Sequence, residues 1–464
     1  MEQLLGAIQR LARSPAFKFF LIAFLILLLL VPLVLVFGLV SEREGRARQV
    51  QAEVARTWGA AQQVSGPFLV VPYTVRIETM QGDKRVEQIQ ERRAVFLPEQ
   101  LDIKAEAASK VLRRSIFDVV VYTARVTLSG RFLAPDMSEV AADAHSVRWA
   151  DAVFALGLSD VSGLKEAASL AVNGQRQVPF APSIGIPTAT QNGIHARLAG
   201  AGDQVLAAPD APTKPFEFKL ALVFGGSSML DFAPVARETR LAMTSDWPHP
   251  SFSGAFLPID RSISAAGFTA SWRVPHLARS VPNAWSLATS GLDRFRPYQF
   301  GVQLYKPVDF YNLVNRAAKY AVLFLALAFM AVFVLELVSQ RRVHPVQYLF
   351  VGLAMIFFYV LLLSLAEQVG FALAYLIAAA ASGGMLSLYV GKVLESRTRG
   401  LAMAAVFAVL YGLLYLILSL EDYALLAGAL LGFAALTSVM FATLRIDWSG
   451  SQGRAPATPA PASP

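Results

Sequence analysis

The chain has 464 residues, of which 55% are hydrophobic and only 16% charged, where an ordinary soluble domain carries about 25% charge. With a mean hydropathy of +0.48, this composition argues against a wholly soluble protein. Cysteine is absent, which excludes a disulfide framework, a thiolate metal site and a cysteine nucleophile. The net charge of +8 and pI near 9.6 point to nucleic acid only if the basic residues form one face.

Residues 1–18 carry Arg10, Arg13 and Lys18 and precede the first apolar run, residues 19–41. That run exceeds the roughly 20 residues needed to cross a bilayer. It is too long for the core of a cleavable signal peptide and lacks a small-residue cleavage site, so it reads as a signal anchor. Residues 42–64 are polar, free of proline and helix-compatible, and are expected to continue the helix as a stalk.

After Gly66-Pro67 the texture changes to alternation. Strands are expected at residues 68–80 (with a bend at Pro72), 86–97, 117–132, 146–157, 216–225, 238–243, 262–272 and 298–304. Turns are expected at residues 81–83, 128–130 and 173–174. Many short strands with turns between them predict a large β-rich, β-sandwich-like domain over residues 42–316. A Pro- and Gly-rich stretch at residues 178–215 leaves one or two subdomains open.

From residue 317 to 444 charges punctuate five further apolar runs: 320–335 with its apolar flanks, 345–366, 368–391, 400–420 and 423–444. An ionised side chain at mid-bilayer costs roughly 2.5 to 3.5 kcal/mol on insertion scales, so the charges mark helix ends. The fold class is therefore a membrane protein of six transmembrane helices, one N-terminal and five C-terminal, with the β-rich domain inserted after the first. Residues 445–464 are rich in Gly, Ser, Ala and Pro and are expected to be a disordered tail.

Basic residues in short loops stay on the cytoplasmic side. With the N-terminus inside, Arg10, Arg13, Lys18, Arg341, Arg342, Lys392, Arg397, Arg399 and Arg445 all fall there, while the short outer turns hold only Glu367, Glu421 and Asp422. Both termini are then cytoplasmic and residues 42–316 periplasmic. Residues 41–316 hold 30 basic and 26 acidic side chains, so half of the net charge lies outside the large domain. No binding face for nucleic acid is concentrated, and the bilayer is the expected partner.

Motifs that carry chemistry are few. The histidines, His145, His195, His249, His276 and His344, include no pair at the i, i+4 spacing of a helical zinc site. No Gly-x-Ser-x-Gly elbow and no phosphate-binding Gly-rich loop occurs, so neither an enzyme activity, a metal nor a cofactor is expected. Glu336 and Glu367 are the ionisable candidates near helix ends, and Glu336 is placed either to snorkel to the boundary or to pair with Arg341 or Arg342. Structural anchoring outweighs ion or proton transport for both, because a relay needs a carboxylate at mid-helix. Two segments are less generic. WPHPSFSGAFLP at 247–258, with Trp247, His249 and Phe252, suits either a ligand platform or an inter-strand crossover. RRVHPVQY at 341–348, with His344 and Tyr348, suits a cytoplasmic turn whose Pro345 opens the next helix, or a partner-docking turn.

These motifs resemble the CreD family of bacterial inner-membrane proteins. The resemblance rests on RSIFDVVVYTARVTLSGRF at 114–132, WPHPSFSGAFLP with GFTASW at 267–272, PVDFY at 307–311, RAAKY at 316–320, HPVQY at 344–348 and residues 361–375 containing SLAEQVGF. It implies a cell envelope integrity protein tied to envelope stress and β-lactam response, with envelope or two-component-system proteins as partners. It supplies no catalytic residues. The runners-up are a transporter or an envelope lipid- or glycan-modifying enzyme using the segment near Trp247, and a membrane partner of a sensor kinase.

Overall fold

The computed structural model describes residues 15–81, 84–174, 176–186, 192–198, 215–304, 310–339, 343–420 and 424–443. The expected tail, Arg10, Arg13, Arg341, Arg342, Glu421, Asp422 and Arg445, the turn residues Gly82 and Asp83, and most of the Pro- and Gly-rich stretch lie outside them. The chain divides into two compact units, Met1–Ala47 with Val308–Pro464, and Arg48–Pro307.

The helical unit begins with α1 (Pro15–Trp58), which runs without a break through residue 41. Ile22, Leu25, Leu29, Leu33, Val36 and Val40 are buried at helical spacing, while Phe20, Phe24, Leu27, Val31, Val34 and Leu35 stay exposed. A helix apolar on every side belongs in hydrocarbon. The remaining helices are α2 (Phe310–Lys319), α3 (Ala321–Ser339), α4 (Pro345–Val369), α5 (Phe371–Val393), α6 (Arg397–Ser419) and α7 (Ala424–Thr443). Among the described residues four helices are long and apolar enough to cross a membrane, or five when α2 and α3, bent by 48°, count as one span. The second apolar run is thus a broken helix that starts at Phe310 and bends at Tyr320, where one continuous span was expected.

Unit Arg48–Pro307 is β-rich. Its longest strands are β1 (Gln62–Gln81), β2 (Lys84–Phe96), β3 (Gln100–Arg114) and β4 (Phe117–Phe132). Then come β5 (Ser146–Val147), β6 (Val153–Leu158), β7 (Ser169–Val172), β8 (Arg176–Pro179), β9 (Ala181–Pro182) and β10 (Gly193–Arg197). β11 (Phe216–Ser227), β12 (Met229–Phe232), β13 (Glu238–Ser245), β14 (Pro250–Gly254), β15 (Asp260–Ser264), β16 (Gly267–Pro275), β17 (Ala284–Ser286) and β18 (Phe300–Leu304) complete the set. One sheet has the order β14-β18-β12-β1-β6-β10-β9, with β2, β5 and β17 attached, and the other β15-β16-β13-β3-β4-β11-β7-β8. Their inner faces share one core: Phe154 of the first sheet lies 5.3 Å from Phe218 and 6.1 Å from Phe132 of the second.

Several expectations are corrected. β3 was missed, because its alanines, lysines and glutamate favour helix over strand. Residues 128–130 are no turn but the interior of β4, paired with β11. Residues 146–157 break into β5, a 3-10 turn at Trp149–Asp151 and β6. Residues 262–272 fold as the β15–β16 hairpin, with Ser264 opposite Gly267. The stalk ends at Trp58, and β1 starts at Gln62, short of the expected residue 64. Where a bend at Pro72 was expected, the register of β1 against β6 shifts between Ser65 and Phe68. Asn173 and Gly174 do form the β7–β8 turn, both at positive φ.

Within this unit the last turns of α1 dock on the β3–β4 hairpin. Val50 and Val54 pack against Val119 and Val121, Arg114 pairs with Glu53 at 3.0 Å, and Trp58 Nε1 donates to the Tyr122 carbonyl at 2.9 Å.

Candidate functional site

The sequence singles out Glu336 and Glu367, and the helical unit shows how each is held. Glu336 lies near the end of α3 with a side chain only 5% exposed. An apolar helix can bury a carboxylate only if donors replace its water. Three do: the Lys18 ammonium of α1, the Val343 backbone N–H at 3.0 Å and the Tyr348 hydroxyl of α4 at 3.0 Å. The Tyr348 ring is fixed by an edge-on contact with Phe329, 5.7 Å between centroids. Its observed cation partner is Lys18, from the far end of the sequence; Arg341 and Arg342, the partners considered from the sequence, lie outside the described residues.

Glu367, near the end of α4, repeats the arrangement with a guanidinium. Arg43 of α1 donates from Nε at 2.8 Å and from Nη2 at 2.6 Å, the bidentate fork that fits a carboxylate. Tyr311 of α2 adds its hydroxyl at 3.1 Å.

The two clamps share their helices. α1 supplies Lys18 to one and Arg43 to the other, and α4 supplies Tyr348 to the first and Glu367 to the second. The two helices therefore run in the same direction. Lys18 and Arg43 are about 38 Å apart along a straight helix, comparable with a bilayer core plus part of its headgroup layers. Between the clamps Gly352 of α4 leaves room for the Leu29 side chain, which a Cβ at that position would strike.

The other predicted residues are placed separately. His344 is the N-cap of α4: its Nδ1 accepts from the Val346 N–H at 3.3 Å, and Gln347 Oε1 accepts from the His344 N–H at 2.8 Å, with Pro345 in the first turn. Arg341 and Arg342 lie outside the described residues. In the β-rich unit the segment 247–258 contributes β14, paired with β18, and Phe252 bridges to Phe268 and Trp272 at 5.6 and 5.8 Å. Trp247 stands edge-on to His249 at 6.3 Å. These contacts tie the segment to both sheets.

Sequence reasoning missed two features. Asp231 of β12 is 6% exposed, its Oδ1 has no hydrogen-bond partner, and desolvation raises its pKa from 3.8 to about 6. Nothing in the MLDF of β12 separates it from an ordinary outward-facing aspartate. The second is a hydroxyl network: Ser382 bonds the Tyr411 hydroxyl at 3.1 Å and Tyr375 bonds the Tyr411 carbonyl at 2.7 Å. These bonds tie α5 to α6. Among the described residues no three His, Asp or Glu side chains gather as metal ligands.

Comparison with known proteins bears on the whole architecture. A family model described as inner membrane protein CreD matches residues 14–449. The inner membrane protein CreD of Escherichia coli (strain K12) is 31% identical over 426 residues, covering 91% of this chain and 91% of its own length. The match takes in α1, the β-rich unit and the helices that build both clamps, and on that coverage the chain belongs to the CreD family.

Proposed function

We propose that this chain is an inner-membrane protein that supports the integrity of the cell envelope and carries out no catalysis. In this reading six helices cross the membrane, both termini are cytoplasmic, and the β-rich unit stands in the periplasm. The observation that carries it is the use of charge in the helical unit: Glu336 and Glu367 are each committed to a cation and a tyrosine at helix ends. A transporter relay needs a carboxylate that can exchange its partner at mid-membrane. The one-sided short-loop cations support the orientation. The shared direction of α1 and α4 fits the first and third of alternating spans, whichever side the termini occupy.

Removing the gene tests the role. The expected result, under conditions in which the protein is made, is greater sensitivity to detergents and to cell-wall antibiotics, restored by a plasmid copy. Unchanged sensitivity contradicts the role. Orientation is tested separately with a reporter active only in the periplasm. It should be active when fused after Gly200 and silent when fused after Arg342, and the opposite pattern overturns the topology.

A further inference from the structure

The outer face of the eight-stranded sheet carries a groove of about 630 Å³, crossed by a row of polar side chains, that the proposed role does not use. Register fixes its composition. Ser262 lies opposite Thr269, Thr269 opposite Thr244, Thr244 opposite Glu106 and Glu106 opposite Arg125. Five side chains from five adjacent strands thus form one straight row across the sheet, about 19 Å long at the usual strand spacing. A second row begins with Ala108 opposite Thr123, and the small alanine keeps that side of the groove open. At the end of β13 Asp246 closes the groove, fixed by the Ser109 N–H at 2.7 Å.

Two properties of this row select its ligand. Its hydroxyls, like Glu106 and Arg125, make no side-chain hydrogen bond or ion pair among the described residues, so their bonding capacity faces the groove. Opposite charges also sit side by side, with Asp246 beyond. An anion attracted by Arg125 meets Glu106 one strand away, and a cation meets the reverse, so a ligand of either single sign is partly repelled. Sugar hydroxyls both donate to carboxylates and accept from a guanidinium, which suits the whole row.

We infer that this groove binds a neutral, polyhydroxylated glycan chain laid across the strands, with about one sugar ring for each strand it crosses. The inference deepens the envelope reading, since the periplasm is where such a polymer would be met.

The test uses the full-length protein in detergent and a ladder of β-1,4-linked N-acetylglucosamine oligomers, followed by calorimetry. Affinity is expected to rise from the disaccharide to the pentasaccharide and then level off. The double variant Glu106→Ala/Arg125→Ala and the filling variant Thr244→Trp should each weaken the longest oligomer at least about tenfold. Arg85→Ala, on the β1–β2 hairpin, should leave it unchanged, and circular dichroism checks that each variant is folded. Absence of binding by the unmodified protein, equal binding by both folded groove variants, or tighter binding of polyphosphate than of the oligomers overturns the inference. Because binding is measured on purified protein, its failure leaves the deletion phenotype intact and is distinguishable from failure of the envelope role.

Discussion

Glu336 gathers an ammonium, a backbone N–H and a tyrosine hydroxyl around one carboxylate, and removing it strands all three. Glu336→Ala is therefore expected to cost about 3 kcal/mol in the purified protein. Glu336→Gln, whose single amide oxygen can still accept from the Val343 N–H while its NH2 can donate to the Tyr348 hydroxyl, should cost less, and thermal unfolding in detergent measures both. Asp231 is the opposite case, a buried carboxylate with an unpaired oxygen. A carboxyl whose pKa is raised from 3.8 to about 6 binds its proton more tightly in the folded state. Stability contributed by the protonated form is then lost as pH rises through this window and stays lost above it. Asp231→Asn should remove that pH dependence and, above pH 6, be more stable than the unmodified protein by an amount on the order of 3 kcal/mol. Denaturant titrations at pH 4 and pH 7 check it. The position of Glu336 near a helix end was legible from the charges that punctuate the apolar runs. Its partner was not, because Lys18 lies 318 positions away and only packing brings them together.

At the scale of elements, α1 is the helix most legible in the sequence, an apolar run of bilayer length followed by a polar stalk. What the pattern leaves out is the face by which it docks. Leu29 fills the notch at Gly352, with Phe329 behind it, and every residue nearby is apolar whichever way it points. Gly352→Leu should push α1 off α4 and cost about 1 to 3 kcal/mol, read as a lower melting temperature in detergent. The other end of α1 meets β11 at backbone distance, since a Cβ on Gly225 would strike the Trp58 carbonyl. Gly225→Ala should therefore destabilise the β-rich unit by a comparable amount. β3 shows why strands were harder to read than helices. Leu101, Ile103, Ala105 and Ala107 alternate inward, a period of two that is visible once the pairing is known, but alanine and lysine blur it. Residues 128–130 failed for the converse reason: a Ser-Gly pair reads as a turn, yet Gly130 is needed where β4 passes the Gln100 carbonyl and the Phe218 ring.

For the whole molecule, the contrast between an apolar chain and a net charge of +8 resolves into two compact units with different solvents. The absence of cysteine makes the proposed topology directly measurable. With the outer membrane made permeable, a membrane-impermeant maleimide should label Leu277→Cys, a residue 85% exposed, and should reach Arg397→Cys only after the inner membrane is broken. Labelling in the reverse order contradicts the orientation. The central claim is that the carboxylates of the helical unit hold helices together and do not carry out chemistry. Exchanging a clamp tests it most directly: a strain lacking the gene receives Arg43→Glu, Glu367→Arg or both together, and survival in detergent is scored. Each single change should fail to protect the strain, and the double exchange, which restores the ion pair with its ends reversed, should protect it. A double exchange that is folded and inserted yet protects no better than the single changes would show that one of these groups is required at its own position beyond holding the helices together, and would contradict the account.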